Sequence, residues 1–397
     1  MNSIERKAAF SIALLVALRM YGLFLIIPVF SIYARQIPGA TDFLVGIAIG
    51  VYGLTQAGLQ IPMGFLSDVI GRRKVIAIGL LIFIIGSVIA ALASDIWWII
   101  IGRAIQGSGA IASTGMALIA DVSRAEQRSK VMGIVGASIG LAFMLSFITG
   151  PILAAWFGVK GLFWITAGLA GIALLQLFVF VEEPEKTHNQ SFKFSEWLQT
   201  IQRKELLFLD MAVFLLHASL TAIFVILPIM LVDFYQLETQ SHWRLYLPAL
   251  LLSLLIMVPM IILQEKGSGR HTVFIAMGLA GLGVSTVLLG VIPAHFLMLL
   301  ATMILYFGFF NFLEASMPSF LSKLAGTKYR GAAMGVFSSS QFLGAFAGGA
   351  YSGWAMGYGF DMVFMSIAVC LVLCALLSYF LLGTGAPIPQ QKVSEKD

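Results

Sequence analysis

The chain has 397 residues, of which 59% are hydrophobic and only 11% charged, and its formal net charge is +5. A soluble domain carries about 25% charge, so this sequence cannot cover itself with water-facing groups, and a soluble domain of any function is excluded. Apolar runs near the ~20 residues needed to cross a ~30 Å hydrocarbon core recur along the whole length. They are continuous, whereas a membrane β-barrel would show short segments alternating apolar with polar; the fold class expected is an all-α membrane protein.

The first run begins at Ala8, after Arg6 and Lys7, and continues to about Tyr33. That is longer than a signal-peptide core and no small-residue cleavage pattern follows, so it reads as a retained first span. Charged and Pro/Gly punctuation then divides the chain into twelve transmembrane spans, approximately 8–33, 43–66, 75–93, 97–120, 131–155, 161–181, 206–234, 244–263, 271–292, 295–322, 332–354 and 361–382. The polar stretch Glu182 to Glu205 separates them into two six-helix bundles, 1–181 and 206–384, and leaves a short tail, 385–397. Within the central stretch, Trp197, Leu198 and Ile201 have the spacing of an interfacial helix. Cys370 and Cys374, four apart in the last span, read as small core residues rather than ligands or a disulfide.

Placing the N-terminus in the cytoplasm puts all but five of the 24 Lys and Arg residues in inner loops and tails. Arg35, Lys160 and Arg244 fall outside, while Arg19 and Arg103 lie within spans. This is the asymmetry of the positive-inside rule, and an even number of spans returns both termini to the cytoplasm. The cations therefore serve orientation rather than nucleic-acid binding.

Between spans two and three the chain reads GFLSDVIGRRK, from Gly64 to Lys74. Asp68 stands at a helix C-terminus, where the macrodipole disfavours a carboxylate by roughly 0.3–1 kcal/mol. A cation should offset it, and Arg72, four residues on, is the nearest. The halves also repeat. Pro62, Asp68 and Gly71-Arg72 are echoed by Pro259, Glu265 and Gly269-Arg270, and Arg128 with Met132-Gly133 by Arg330 with Met334-Gly335. Two duplicated bundles with a site between them at mid-membrane is a transporter plan.

Ionisable groups inside the membrane are costly and mark function. Arg19 lies eleven residues into span one, about 16 Å deep at 1.5 Å per residue, and must turn from lipid toward the interior. It reads as a lock on a neighbouring group or as a substrate contact. His217 reaches a similar depth in span seven; histidine as a residue type carries protons near neutral pH, so it reads as a proton carrier or as a buried histidine hydrogen-bonded in place. Glu314 is the only acid read as lying deep within a span, with Asn311 on the same helix face, and reads as a proton-coupling residue or as a structural partner for Arg19 or Arg103. Tyr306, Phe307, Phe309 and Phe310 precede it and could line an apolar cavity. Span four carries Arg103, Gln106, Gly107 and Gly109 in RAIQGSGA, whose small residues permit a close helix approach. In span five Gly133, Gly136, Gly140 and Gly150-Pro151 read as close packing plus a proline kink. No phosphate loop, metal-ligand set, cofactor motif or nucleophile triad is visible, so neither an enzyme nor an ATP-driven pump is expected.

GFLSDVIGRRK resembles the loop signature of the major facilitator superfamily, Gly-x-Leu-x-Asp-x-x-Gly-Arg-Arg/Lys, and RAIQGSGA is similar to that family's fourth-helix motif. With the twelve spans and the repeat, the likeness covers essentially the whole chain. Within the family it is most like the drug:proton antiporters, and among them the YajR-type bacterial inner-membrane transporters, whose soluble C-terminal domain it would lack. The resemblance implies a cytoplasmic latch between the halves, of Gly64, Asp68, Gly71, Arg72, Arg73, Asp121 and Arg128, favouring the outward-open state. It also implies a proton-relay role for Arg103, and titratable positions at His217 and Glu314. The substrate cavity would be lined by Arg19, Gln106, Tyr306, Phe310 and Asn311. Gly150-Pro151 matches the centre of the antiporter motif, with Ser146 and Ala154-Ala155 where that motif has glycines. The implied function is proton-coupled efflux of small amphipathic or hydrophobic molecules by a monomer in the inner membrane, its partners being substrate, protons and lipid, with no cofactor or metal. Proton symport or uniport of a nutrient or organic anion is the alternative, and a non-transporting sensor on the same fold a second.

Overall fold

The computed structural model describes residues 3–122, 124–181, 202–267, 270–291 and 295–382. Every regular element among them is a helix, as the unbroken apolar runs require where backbone groups must bond within their own segment. Span one is Ser3–Phe24 and, after a turn containing Pro28, the short helix Phe30–Ala34. Proline has no N–H to continue the ladder. Span two, Asp42–Ile70, starts at Thr41, whose hydroxyl accepts from the Leu44 N–H at 3.3 Å. A single residue, Gly71 at φ 107°, separates it from span three, Arg72–Leu92. A side chain would be strained in that conformation, so the glycine permits the tight inner turn.

Span four is broken into Ile96–Ser108 and Ala112–Val122, with Asp95 capping the first piece by accepting from the N–H groups of Trp97 and Trp98. Spans seven, eight, nine and twelve are Lys204–Asp233, Trp243–Lys266, His271–Val291 and Phe360–Leu382. Where the sequence predicts loops of several residues between spans five and six and between ten and eleven, helix runs on almost without pause. Ala125–Phe180 turns at Gly158 (φ 64°) and Phe296–Ala355 at Gly326 (φ 69°). Eight described helices are long and apolar enough to cross a membrane as they stand. The 51-residue stretch Lys130–Phe180 holds two spans, spans one and four are interrupted, and the Gly- and Ser-rich span eleven is less apolar. Twelve spans result.

Side-chain hydrogen bonds, to main chain in the first half and between side chains in the second, tie each half together. In the first, Thr166 donates to the Gly22 carbonyl at 2.9 Å and Gln176 to that of Ser11 at 2.6 Å. In the second, Asn311 donates to Ser253 at 3.1 Å and Ser316 to Gln264 at 2.7 Å.

The halves meet along their outer parts. Gly46 and Gly349 face each other so closely that a Cβ on either would overlap the other's carbonyl, and Gly50 and Gly53 sit against the carbonyls of Phe346 and Phe342. Beside this seam Phe147 of span five lies 4.6 Å from Phe224 and 5.2 Å from Tyr246 of the second half. The last polar tie down this face is Ser339, which donates to the Ala57 carbonyl at 3.2 Å. Further in, positions Gly331 and Gly335 of span eleven and Gly133, Gly136 and Gly140 of span five face open space. The close packing expected at those three span-five glycines is therefore absent in this conformation, because they lie on the inner half, where the bundles diverge. Gly150, further out, does pack, against the Leu25 carbonyl. The molecule is sealed outside and opens inward. The central segment 182–201, the tail from 383, Gly269 and the side chain of Arg128 lie outside the described residues.

Candidate functional site

Two polar clusters stand at mid-membrane, one in each half. In the first, the Arg19 guanidinium is 3% exposed. It donates to the Tyr52 hydroxyl at 3.0 Å, to Gln56 Oε1 at 3.4 Å and to the Gly109 carbonyl at 3.0 Å, and it lies over the Phe83 ring. The break in span four explains the last acceptor, since a helix end frees carbonyls that need a donor. Arg103 donates to the carbonyls of Ala48 and Ile49, both at 3.3 Å, and to Gln106 Oε1 at 3.0 Å, and it stands over the Tyr52 ring. Gln106 in turn donates to Ser87 at 2.7 Å. Both buried cations are thus held by neutral acceptors and ring faces. That arrangement leaves the Arg19 Nε without a hydrogen-bond partner among the described residues and the charges uncompensated by any carboxylate among these contacts.

In the second half the acid and the imidazole named from the sequence come together. His217 Nε2 of span seven lies 3.6 Å from Glu314 Oε2 of span ten. The other ring nitrogen, Nδ1, is 3.2 Å from the Val213 carbonyl, which can only accept, so the proton belongs on Nδ1 in the neutral ring. Gln341 of span eleven completes the group, its Nε2 lying 2.8 Å from His217 Nε2 and 3.1 Å from Glu314 Oε1. The Phe310 ring meets that of His217 edge-on at 5.8 Å and stacks on Tyr306 at 6.1 Å. The Glu314 side chain remains 40% exposed and that of His217 12%, while Glu314 Oε2, the oxygen beside the histidine, is buried.

Of the cavity residues expected from the sequence, Arg19, Gln106 and Tyr306 are buried and bonded within their own halves, Tyr306 to Ser219 at 2.7 Å. Asn311 bonds Ser253, and Phe310 is buried beside the histidine. Sequence reasoning missed Gln341, Tyr52, Gln56 and Gln60. A glutamine inside a span is a signal, weaker than a charge, that marks all three of those glutamines. Asp210, near the inner end of span seven, was also missed; it is buried, with one oxygen lacking a hydrogen-bond partner among the described residues.

At the inner rim, Arg72 pairs with Asp68 at 2.5 Å and with Asp121 of span four at 3.0 Å, and also donates to Ser67. Arg73 donates to the Phe178 carbonyl at 2.6 Å. The Gly64 position faces Ser113. Residues 68, 72, 73, 121 and 178 all belong to the first half, so these contacts brace spans two, three, four and six against one another. At the outer rim, Arg35 pairs with Asp42 at 3.1 Å and reaches Asp233, at the end of span seven in the opposite half, at 3.8 Å.

The sequence matches the Major Facilitator Superfamily pattern over residues 12–264 and again over 209–397. It is 41% identical to the inner membrane transport protein YajR of Escherichia coli K12, over 86% of this chain and 75% of that one. It is 33% identical to an uncharacterized transporter of Buchnera aphidicola, over 87% and 89%. The class B tetracycline resistance protein of Escherichia coli is 31% identical over 48% of this chain and 47% of its own. Among solved structures, a bacterial homologue of the human lysosomal transporter Spinster, in an inward-facing conformation, superposes with a TM-score of 0.78 at 14% identity, covering 98% of this chain and 99% of that one. This last likeness is one of fold.

Proposed function

The chain belongs to the major facilitator superfamily, and from that membership we propose that it exports small amphipathic or hydrophobic molecules in exchange for protons. The family is one of secondary transporters, not enzymes, and this chain is a multi-pass inner-membrane transport protein acting on small molecules. What supports the finer reading is one observation: a histidine and a carboxylate 3.6 Å apart at mid-membrane, beside aromatic rings and bridged by an amide. Arg19, whose charge would suit an anionic nutrient, is already engaged by three acceptors, which favours export over that alternative. The partial likeness to a tetracycline resistance protein points the same way.

In this reading the bundles 1–181 and 206–384 rock about the mid-membrane site, tethered by 182–205, in a monomer with no cofactor. Protonation shifts the balance between states only if they differ in proton affinity. The membrane potential supplies about 2.3 kcal/mol per charge per 100 mV. A partly exposed ion pair contributes about 0.2–1 kcal/mol. At that strength the inner-rim pairing of Asp68, Arg72 and Asp121 helps brace the first half without resisting the drive. Arg103 and Gln106 keep span four in register with span two, and Gly150-Pro151 sets the bend of span five.

The test is reconstitution in proteoliposomes with an imposed pH gradient and ethidium as the fluorescent probe. Glu314→Gln should lower gradient-driven transport at least ~10-fold while dye exchange across the bilayer without a gradient persists. Gradient-driven transport undiminished in that variant contradicts proton coupling through Glu314.

A further inference from the structure

Gln341 is the amide that touches both His217 and Glu314 among the described contacts. An amide nitrogen carries two hydrogens, and here both are used: one toward His217 Nε2 at 2.8 Å, one toward Glu314 Oε1 at 3.1 Å. Both partners must then be proton-free on those atoms. The Nδ1 contact with the Val213 carbonyl at 3.2 Å fixes the tautomer that makes this possible. When a proton arrives on Nε2, two N–H groups face each other and the Gln341 bond is lost. Glu314 Oε2, which has no hydrogen-bond partner at 3.6 Å, is the acceptor waiting for the new N–H. If the amide instead turns over to offer its oxygen to the imidazolium, that oxygen meets Glu314 Oε1, and the second bond is lost. Either way protonation removes one of the two ties that hold span eleven to spans seven and ten.

Span eleven is also the element that closes the outer side. Its positions Gly344 and Gly348 lie directly on the carbonyls of Phe214 and Ala218, which flank His217 on span seven. Its other face carries Phe342, Phe346, Gly349 and Gly353 onto Gly53, Gly50, Gly46 and Asp42 of span two. Phe342, next to Gln341, meets edge-on the Tyr52 ring that accepts from Arg19. Among the described contacts, the charged groups facing Gln341 are His217 and Glu314. The nearby titratable Tyr306 is occupied by Ser219, and Asn311 by Ser253. Span two faces span eleven here with main-chain carbonyls.

We propose that Gln341 is the positioning residue through which the protonation of His217 and Glu314 controls the outer seal: it ties span eleven in place only while His217 Nε2 is proton-free. This rests on the proton-coupled reading above. The linkage has a definite sign. A bond that exists only in the sealed, proton-free form lowers the proton affinity of the sealed state relative to the outward-open one. Acid therefore favours opening to the outside, where protons are taken up, and the sealed, inward-open form releases them.

The experiment uses the full chain in lipid nanodiscs with Cys370 and Cys374 replaced by alanine. Spin labels at Lys160→Cys and Gln240→Cys, both exposed at the outer ends of opposite halves, report the outer distance between pH 5 and 9. The parent should lengthen as pH falls. Gln341→Met, of the same length but without hydrogen-bonding groups, should raise the long-distance fraction at pH 9 and reduce the pH-dependent change at least ~3-fold. Should that variant fail to fold, Gln341→Asn takes its place, because its shorter amide cannot span both acceptors; the expected direction is the same. A pH response in Gln341→Met, or in its substitute, equal to the parent's overturns the proposal, provided His217→Asn and Glu314→Gln abolish it. A parent without any pH response, or a response that survives in both of those variants, overturns the proton-coupled reading itself.

Discussion

Arg19 and Arg103 are two buried cations only a few residues of span two apart in their contacts, and Tyr52 touches both, as hydrogen-bond acceptor for one and as ring face for the other. Arg103 spreads its fork over two main-chain carbonyls and Gln106. A lysine is a point charge and cannot reproduce that geometry. Hydrogen bonds to a charged group contribute about 1.5–3 kcal/mol, so Arg103→Met should cost about 2 kcal/mol and lower the melting temperature by several degrees in a thermal scan, with Arg103→Lys in between. A melting curve unchanged in Arg103→Met would show that the network carries no net stability. At the inner rim the energies are smaller. Arg72 pairs with two carboxylates, each pair partly exposed, and Asp121→Asn should change thermal stability by less than about 1 kcal/mol. These residues were unevenly legible. The i, i+4 spacing of Asp68 and Arg72 puts them in reach of each other before any coordinates exist, and the structure pairs them. Gln341 left only the weak signal of an amide inside a span, because it carries no charge and no repeat and its partners lie on two other helices.

At the scale of elements, the seam between spans two and eleven is built from absent side chains. Gly46 and Gly349 let two backbones touch, and a Cβ on Gly46 would overlap a main-chain carbonyl, which cannot swing away as a flexible side chain can. Gly46→Leu should therefore separate the outer halves. With a cysteine at Ala57, just inside the seam, in a chain otherwise free of cysteine, an impermeant maleimide added to right-side-out vesicles should label at least ~5-fold faster in Gly46→Leu. Equal labelling rates would mean the seam is not the outer barrier. The existence and order of the spans were readable because a continuous apolar run fixes its own fate in lipid. Their junctions were not. Gly158 and Gly326 reverse or bend the chain within one residue of positive φ, where composition predicts a loop. The unwinding of span four at Gly109 was equally hidden, although it supplies the carbonyl on which Arg19 rests.

For the whole molecule, alternating access needs a closure at each rim, and the two rims differ. The outer one is engaged: span two against span eleven, Phe147 against Phe224 and Tyr246, and Arg35 reaching across to Asp233. The inner pairing of Asp68, Arg72 and Asp121 is intact but confined to the first half. If the second closure forms only as the first opens, the state shown is one end of a rocking cycle, and the mid-membrane pair of His217 and Glu314 sits where either side can reach it in turn. Arg35→Ala should favour the outward-open end only slightly, since an exposed pair contributes about 0.2–1 kcal/mol.

The most direct test of this account follows both ends of the molecule at once. Distances are measured between labels at Lys160→Cys and Gln240→Cys outside, and between labels at Lys130→Cys and Lys323→Cys inside, all four positions being exposed, across the same pH range. Reciprocal change is predicted, the outer distance growing as the inner one shrinks with a common midpoint. Distances that stay fixed, or that move independently at the two ends, would contradict it.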